Sequence, residues 1–92
     1  MGITLIAGCT AFSTMALAQS GEEVAKSKGC LGCHAVDQKK VGPSFKEISA
    51  NYKGNKKAEA QLIGVLKNGK GHPKIQASGA EMKAVVQYVL KQ

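Results

Sequence analysis

Cys30-Leu31-Gly32-Cys33-His34 is the stretch that decides the fold of this 92-residue chain. Two thiols three residues apart, followed at once by an imidazole, form the Cys-x-x-Cys-His pattern to which a c-type haem is covalently attached. Each cysteine adds across one haem vinyl group, and the adjacent histidine becomes the proximal ligand of the iron. The motif therefore predicts one haem c, bound through Cys30 and Cys33, with His34 on the iron.

The cysteine pair is compatible with three other kinds of site. A thioredoxin-like dithiol lies in a βαβ unit, and no alternating β-branched strand precedes Cys30. A structural zinc site needs four ligands, and only Cys9, His34 and His72 remain to complete it. A plain disulfide between Cys30 and Cys33 is the third alternative. The histidine directly after the second cysteine favours haem attachment over each of them.

The N-terminal segment, residues 1–18, is apolar, carries no charge and ends in the pattern Ala-Leu-Ala. Such a segment is typical of an export signal that is cleaved after the last small residue. We therefore expect residues 19–92 to form a single domain in the periplasm. Residues 5–9 also resemble a lipoprotein box, in which a lipid on Cys9 would anchor the domain. A retained membrane span is not expected, because Gly, Ser and Thr interrupt the short apolar run.

The charge of the chain is strongly basic. All 13 basic residues are lysines, set against 6 acidic residues, so the formal net charge is +7. The lysines are scattered and the chain has no arginine, a pattern that argues against nucleic-acid binding. It favours steering toward acidic redox proteins, with the chain as a monomer. The lysines expected near the haem are Lys39, Lys40, Lys70 and Lys74.

Helical signals follow one another along the chain. Three Ser-x-x-Glu capping boxes each open a segment with helical apolar spacing. They are Ser20/Glu23, Ser44/Glu47 and Ser78/Glu81. The first two helices are expected to end at Gly29 and Gly54, and a further helix, capped by Asn55, at Gly69. These signals therefore predict an all-α fold. The chain is so short that we expect the haem to complete its hydrophobic core.

The order of these elements resembles the short monohaem class I cytochromes c of bacterial periplasms. The resemblance covers residues 20–91 and rests on three stretches and on the amphipathic helix after Ser78. The stretches are Lys28-Gly29-Cys30-Leu31-Gly32-Cys33-His34-Ala35-Val36-Asp37, Val41-Gly42-Pro43-Ser44-Phe45 and Tyr52-Lys53-Gly54. The resemblance implies a class I cytochrome c fold, with about four short helices wrapped around one covalently attached haem.

The resemblance also implies particular contacts. In this family the first and last helices cross, and a small residue near Gly29 receives an aromatic side chain of the last helix, here Tyr88. The carbonyl group matching that of Pro43 accepts the Nδ1 proton of His34, which leaves Nε2 for the iron. Apolar residues of the two middle helices are expected to contact the haem. They are Phe45, Ile48, Tyr52, Leu62 and Leu66.

The sixth iron ligand is where the chain departs from the family. Aligned on Ser78 without gaps, the methionine that usually completes the coordination falls on His72, and the following proline on Pro73. We therefore expect the ligand pair His34 and His72. The alternative ligand is Met82, but its position one turn into the last helix favours a core side chain. Lys74 is a competitor only when neutral.

These features predict an electron carrier and no enzyme: one electron enters and leaves through the haem, and no bond of a substrate changes. Isolated carboxylates such as Asp37, Glu47 and Glu59 do not form a catalytic group. Two alternatives stay open. The first is a haem-based sensor or ligand-binding module in which His72 dissociates from the iron. The second is a cytochrome subunit dedicated to one dehydrogenase complex.

Overall fold

The computed structural model describes Gly2 and residues 20–92. The described chain contains four α-helices and no strand. They are α1 (Gly21–Ser27), α2 (Phe45–Asn51), α3 (Ala58–Asn68) and α4 (Gly79–Leu90), with a short 3₁₀ turn, Cys30–Gly32, after α1. The all-α prediction is confirmed. The predicted boundary between residues 18 and 19, and Cys9, lie outside the described residues.

Serine side chains begin three of the four helices, as predicted. Each serine hydroxyl accepts a hydrogen bond from the backbone amide three residues later, at 3.2 Å for Ser20 and 3.1 Å for Ser44 and Ser78. Only Ser78 has the reciprocal bond, donated by its own amide to the Glu81 carboxylate at 2.9 Å. That bond, with the charge of Lys28 at 3.7 Å, lowers the pKa of Glu81.

The start of α3 differs from the prediction. Lys57, and not Asn55, occupies the N-cap position. The Asn55 side-chain oxygen accepts the Lys57 amide at 2.9 Å, and the Asn55 carbonyl accepts the Ala58 amide at 3.2 Å. Asn55 thus closes a turn that precedes the helix. The end of α3 is as predicted, because Gly69 takes the left-handed conformation with φ of 67°.

The first two helices are shorter than predicted: α1 ends at Ser27 and α2 at Asn51. Glycines follow each of them in the left-handed region, Gly29 with φ of 75° and Gly54 with φ of 80°. These glycines lie beyond the helix ends, in the turns that redirect the chain, because glycine adopts positive φ without steric penalty.

Helix α4 is central, since α1, α2 and α3 all pack against it. The core of the α1–α4 contact consists of Val24, Ala25, Val85 and Val86, each at most 5% exposed. The close approach predicted near Gly29 occurs instead at Gly21. A Cβ at Gly21 would overlap Ala84 and Tyr88, whereas nothing lies within 4 Å of one at Gly29. The helices therefore cross at the start of α1, before it turns into the haem motif.

Ser49 ties α2 to the end of α4, where its hydroxyl donates to the Leu90 carbonyl at 2.8 Å. On the other side, the Gln87 amide donates to the Glu59 carboxylate of α3 at 3.3 Å. These bonds join helices that are distant in sequence and so hold α2 and α3 in place beside α4. Within residues 20–92, no helix has both the length and the hydrophobicity that crossing a membrane requires.

Candidate functional site

The Cys-x-x-Cys-His motif forms a tight turn directly after α1. The Cys30 carbonyl accepts hydrogen bonds from the amides of Cys33 and His34, at 3.1 and 2.9 Å. Both thiols are free, and Cys30 is half-buried against the α1–α4 core while Cys33 is exposed. Burial raises the pKa of the Cys30 thiol. The turn thus presents two cysteine side chains beside one imidazole.

This arrangement does not match the disulfide or the zinc alternative. The two thiols are not bonded to each other. In the part of the chain that the structure describes, no three His, Cys, Asp or Glu side chains come together as metal ligands. A structural zinc site takes four. The pair of thiols next to an imidazole fits covalent haem attachment.

His34 is held by the segment that leads into α2. Its Nδ1 lies 2.6 Å from the Pro43 carbonyl, the hydrogen bond that the family resemblance implied. A carbonyl oxygen can only accept, so Nδ1 carries the proton and Nε2 is the ring nitrogen with a free lone pair. Three backbone bonds fix the acceptor. They run from the amides of Gly42, Phe45 and Lys46 to the carbonyls of Cys33, Ala35 and Val36, at 2.8 to 3.0 Å.

Gly42 is a site residue that was not predicted from the sequence. A Cβ at this position would overlap Cε1 of His34 and lie 2.8 Å from its Nδ1. The imidazole therefore packs directly on the Gly42 backbone. Phe45, which is 2% exposed, lies near the same ring with a centroid separation of 5.5 Å. The sequence signal that could have identified this contact is the position of Gly42 directly before Pro43.

His72 lies in a loop that is attached at both ends to the last turn of α3. The Gly69 amide donates to the Val65 carbonyl and the Ile75 amide to the Leu66 carbonyl, both at 2.9 Å. Helix ends leave such carbonyls without partners, so the loop completes the helix while the helix anchors the loop. A loop this short therefore has a defined path, with His72 between its two attachment points.

The His72 ring has the same kind of partner as the His34 ring. Its Nδ1 lies 2.7 Å from the carbonyl of Pro73, so this Nδ1 also carries the proton. The two imidazole rings lie near each other, with ring centroids 6.1 Å apart and planes within 10° of parallel. Both rings therefore keep Nε2 available as a metal ligand.

The spacing of the two rings fits one metal ion between them. Imidazole nitrogens bind metals such as zinc at about 2 Å, and the ring centre lies about 1 Å behind the nitrogen, so two imidazoles on one ion have centroids roughly 6 Å apart. The observed separation is 6.1 Å. The two cysteines and the His34 imidazole thus fit a covalently attached haem, and the distance between the rings is compatible with His72 as a second imidazole ligand.

Met82 lies inside α4 and not at this site. It is 4% exposed, and the complete capping box at Ser78 holds the helix turn that contains it. Bringing its sulfur out of the core would break that cap, which contributes about 1 kcal/mol, and would leave a cavity. The packing therefore favours Met82 as a core residue.

The apolar residues predicted at the haem have different surroundings. Phe45 joins His34 to Tyr88, which it meets edge-on at 5.9 Å. Leu62 and Leu66 are half-buried and pack against the α1–α4 core. The others are Ile48, half-buried one turn after Phe45, and Tyr52, which lines an open groove of about 570 Å³ together with Ser49 and Leu90.

Of the four lysines predicted near the haem, one contacts the motif itself. The Lys40 ammonium donates to the Leu31 carbonyl at 3.1 Å. Lys39, Lys70 and Lys74 are exposed. Val41 follows Lys40 in the same loop. It is the one exposed large apolar residue among the described residues, with 84% of its surface accessible. The lysines therefore place positive charge on the loops that carry the two histidines.

Comparisons with known proteins identify the family of this chain. The family described as cytochrome C oxidase, cbb3-type, subunit III matches residues 16–89. Cytochrome c-551 of Azotobacter vinelandii is 42% identical over 78% of this chain and 96% of its own length. Cytochrome c-551 of Pseudomonas aeruginosa is also 42% identical, over 73% of this chain. The match spans 64% of that relative, a little under two thirds of its length.

Solved structures show the same fold. A deletion mutant of Nitrosomonas europaea cytochrome c552 superimposes with a TM-score of 0.69 at 31% identity, over 76% of this chain and 96% of that one. The class 1 cytochrome MtoD from Sideroxydans lithotrophicus ES-1 gives 0.67 at 29% identity, over 77% and 90%. The chain therefore belongs to the small monohaem class I cytochromes c, and it carries one haem c bound covalently through the Cys-x-x-Cys-His motif at Cys30 and Cys33.

Proposed function

We propose that this chain is a periplasmic one-electron carrier whose haem iron is bound by His34 and His72. The observation that carries the proposal is the pair of parallel imidazoles 6.1 Å apart, each with Nδ1 committed to a carbonyl. The haem supplies an iron that gains and loses one electron. The chain supplies two imidazole nitrogens, two thioether links and a fixed surface.

The second imidazole is expected to lower the reduction potential. A histidine and methionine pair raises the potential of c-type haems, whereas an imidazole donates more strongly to the ferric ion than a thioether does. Hydrogen bonds at both Nδ1 atoms strengthen this donation further. We therefore expect a lower potential than in relatives that use methionine, together with low-spin iron in both oxidation states.

Electron transfer without substrate chemistry is supported by the surroundings of the carboxylates. Glu47 lies in the first turn of α2, where a negative charge stabilises the helix. Glu59 accepts a hydrogen bond from Gln87, and Asp37 is exposed in a loop. Each of the three carboxylates thus has a structural role or a solvent-exposed position, and this argues against a catalytic function for them.

The ligand assignment is tested with the ferric holoprotein. His72→Ala is expected to change the spin state and the EPR spectrum, and Met82→Leu, a substitution of similar volume, is the matched control and should leave both unchanged. The unaltered protein should lack the sulfur-to-iron absorption band at the red edge of the spectrum. A band that is present, survives His72→Ala and disappears in Met82→Leu would assign the ligand to Met82.

The sensor alternative requires His72 to leave the iron on reduction. The two hydrogen bonds that attach its loop to α3 oppose such a movement. Ferrous holoprotein is accordingly expected to bind carbon monoxide slowly. Fast binding by the unaltered protein, at a rate close to that of His72→Ala, would favour the sensor.

The proposed partners are acidic redox proteins. We expect the chain to bind them as a monomer, and we do not expect it to bind nucleic acid. The net charge of +7 and the exposed lysines support steering of that kind. Electron transfer to an acidic redox protein should slow several-fold as ionic strength rises. Lys40→Gln should weaken this dependence more than Lys91→Gln, which changes the far end of α4. A rate that is indifferent to salt would contradict the proposal. A subunit dedicated to a dehydrogenase would instead copurify with it.

A further inference from the structure

The imidazole of His72 is oriented by a hydrogen bond within its own loop. The acceptor for His72 Nδ1 belongs to the very next residue, Pro73, at 2.7 Å. A side chain reaches the carbonyl of its neighbour only if the backbone between them keeps one conformation. Proline provides this restriction, because its ring fixes its own φ and restricts the residue before it to extended conformations.

The glycine on the other side of His72 completes the arrangement. Gly71 takes the left-handed conformation with φ of 70°, which turns the chain sharply just before the histidine. The next glycine back, Gly69, packs against the stem of Lys74 and the His72 carbonyl. The backbone of His72 is therefore defined on both sides, and the direction of its imidazole depends on a single acceptor.

The two histidines thus have matching partners. His34 donates to Pro43 at 2.6 Å and His72 donates to Pro73 at 2.7 Å. A hydrogen bond to a carbonyl prefers the plane of that carbonyl group, so each acceptor sets the rotation of its ring. The two ring planes differ by 10°. Matching acceptors favour this near-parallel orientation, together with the contacts that position the two loops.

We propose that Pro73 is a positioning residue for the distal ligand: its carbonyl holds His72 in the Nδ1-protonated tautomer and its rigid ring keeps the imidazole parallel to that of His34. The proposal rests on the assignment of His34 and His72 as the iron ligands. Pro73 does not itself bind the iron. Its effect is on the orientation and basicity of the imidazole that does.

The orientation has a spectroscopic consequence. Parallel axial imidazoles give low-spin ferric haem a well-resolved rhombic EPR spectrum, whereas perpendicular ones give a single feature at large g. The unaltered holoprotein is expected to show the rhombic spectrum. Pro73→Gly, which frees the backbone at both positions, should broaden it or shift it toward the large-g form and raise the potential. Pro73→Ala should have a smaller effect of the same kind.

The tautomer is read separately by NMR of the ferrous holoprotein. The Nδ1 proton of each histidine should exchange slowly with solvent. Pro73→Gly should accelerate exchange at His72 by roughly tenfold, the loss of about one hydrogen bond, and leave His34 unchanged. His34 is thus an internal control for the fold. Gln76→Ala, an exposed change in the same loop, should alter neither the exchange rates nor the spectrum.

The outcomes separate the two proposals. A sulfur-to-iron band in the unaltered protein would overturn the histidine pair and the role of Pro73 with it. A low-spin histidine pair whose EPR spectrum and His72 proton exchange are the same in Pro73→Gly and Gln76→Ala would overturn the role of Pro73 alone. A rhombic spectrum that is lost in Pro73→Gly, with His34 exchange unchanged, supports both.

Discussion

Gly42→Ala is the substitution that tests the proximal side of the site most directly. The added Cβ would overlap Cε1 of His34 and lie 2.8 Å from Nδ1. Real Cβ atoms essentially never come this close to another heavy atom, so the imidazole or the backbone has to move. Gly42 does not have a positive φ, so the effect comes from the contact and not from a left-handed backbone.

Two contributions set the size of the effect. Overpacking of a tight contact costs about 1–3 kcal/mol, and moving the ring weakens the bond from His34 to Pro43, which contributes about 0.5–1.5 kcal/mol. We therefore expect the free energy of unfolding to fall by about 2–4 kcal/mol. In a domain of this size 1 kcal/mol corresponds to about 4–8 °C, so the Tm should fall by about 8–32 °C.

The assay is thermal unfolding of the holoprotein, followed by circular dichroism and by the haem absorption band. Gly64→Ala is the matched control, because Gly64 lies within α3 and a Cβ there meets nothing within 4 Å. Alanine is a better helix former than glycine by about 1 kcal/mol, so this control should raise the Tm. The same chemical change thus has opposite effects at the two positions.

Gly42→Ala is also expected to change the surroundings of the iron. Gly42→Ala rotates or displaces the proximal imidazole, so its ferric EPR spectrum should differ from that of the unaltered protein, while that of Gly64→Ala should not. If Gly42→Ala is as stable as the unaltered protein and has the same spectrum, the packing of His34 on Gly42 does not constrain the ligand, and the argument is refuted.

Three further predictions concern the rest of the domain. Gly21→Ala places a Cβ against the backbone and side-chain stem of α4 near Tyr88. It should lower the free energy of unfolding, measured by denaturant titration, by about 1–3 kcal/mol. An unchanged denaturation midpoint would contradict the close contact between α1 and α4 at Gly21. The pKa of Glu81 is lowered by the helix-cap amide, so the contribution of its carboxylate to stability is present above about pH 4.3 and is lost as pH falls through the lowered pKa. Glu81→Gln should therefore be less stable than the unaltered protein at pH 7 and equally stable at pH 2. A difference in stability that persists at pH 2 would contradict this prediction. The double substitution Cys30→Ala and Cys33→Ala removes haem attachment and should give a largely unfolded chain by circular dichroism, because the α1–α4 core is small; a cooperative melt would show that the haem is dispensable for folding.

The sequence alone determined the features that depend on residues close together in the chain. The haem motif is five consecutive residues, and its chemistry requires only their types and spacing. Ser20, Ser44 and Ser78 begin helices because each cap is a hydrogen bond to the amide three residues later. The partners in such bonds lie within one helical turn of each other, so the sequence alone identifies them. The family resemblance supplied what local bonds do not, including the bond from His34 to Pro43 and the candidate ligand His72.

Only the tertiary structure decided which distant residues come together. The helices cross at Gly21 and not near Gly29, where the family resemblance places the crossing, because the relative position of α1 and α4 depends on how their apolar faces interlock. The tertiary structure also packs His34 on Gly42, and it attaches both ends of the His72 loop to the last carbonyls of α3. The near-parallel imidazoles follow from these contacts together. Side chains and backbone atoms far apart in sequence meet only after the helices have packed, and their distances are a property of the folded chain.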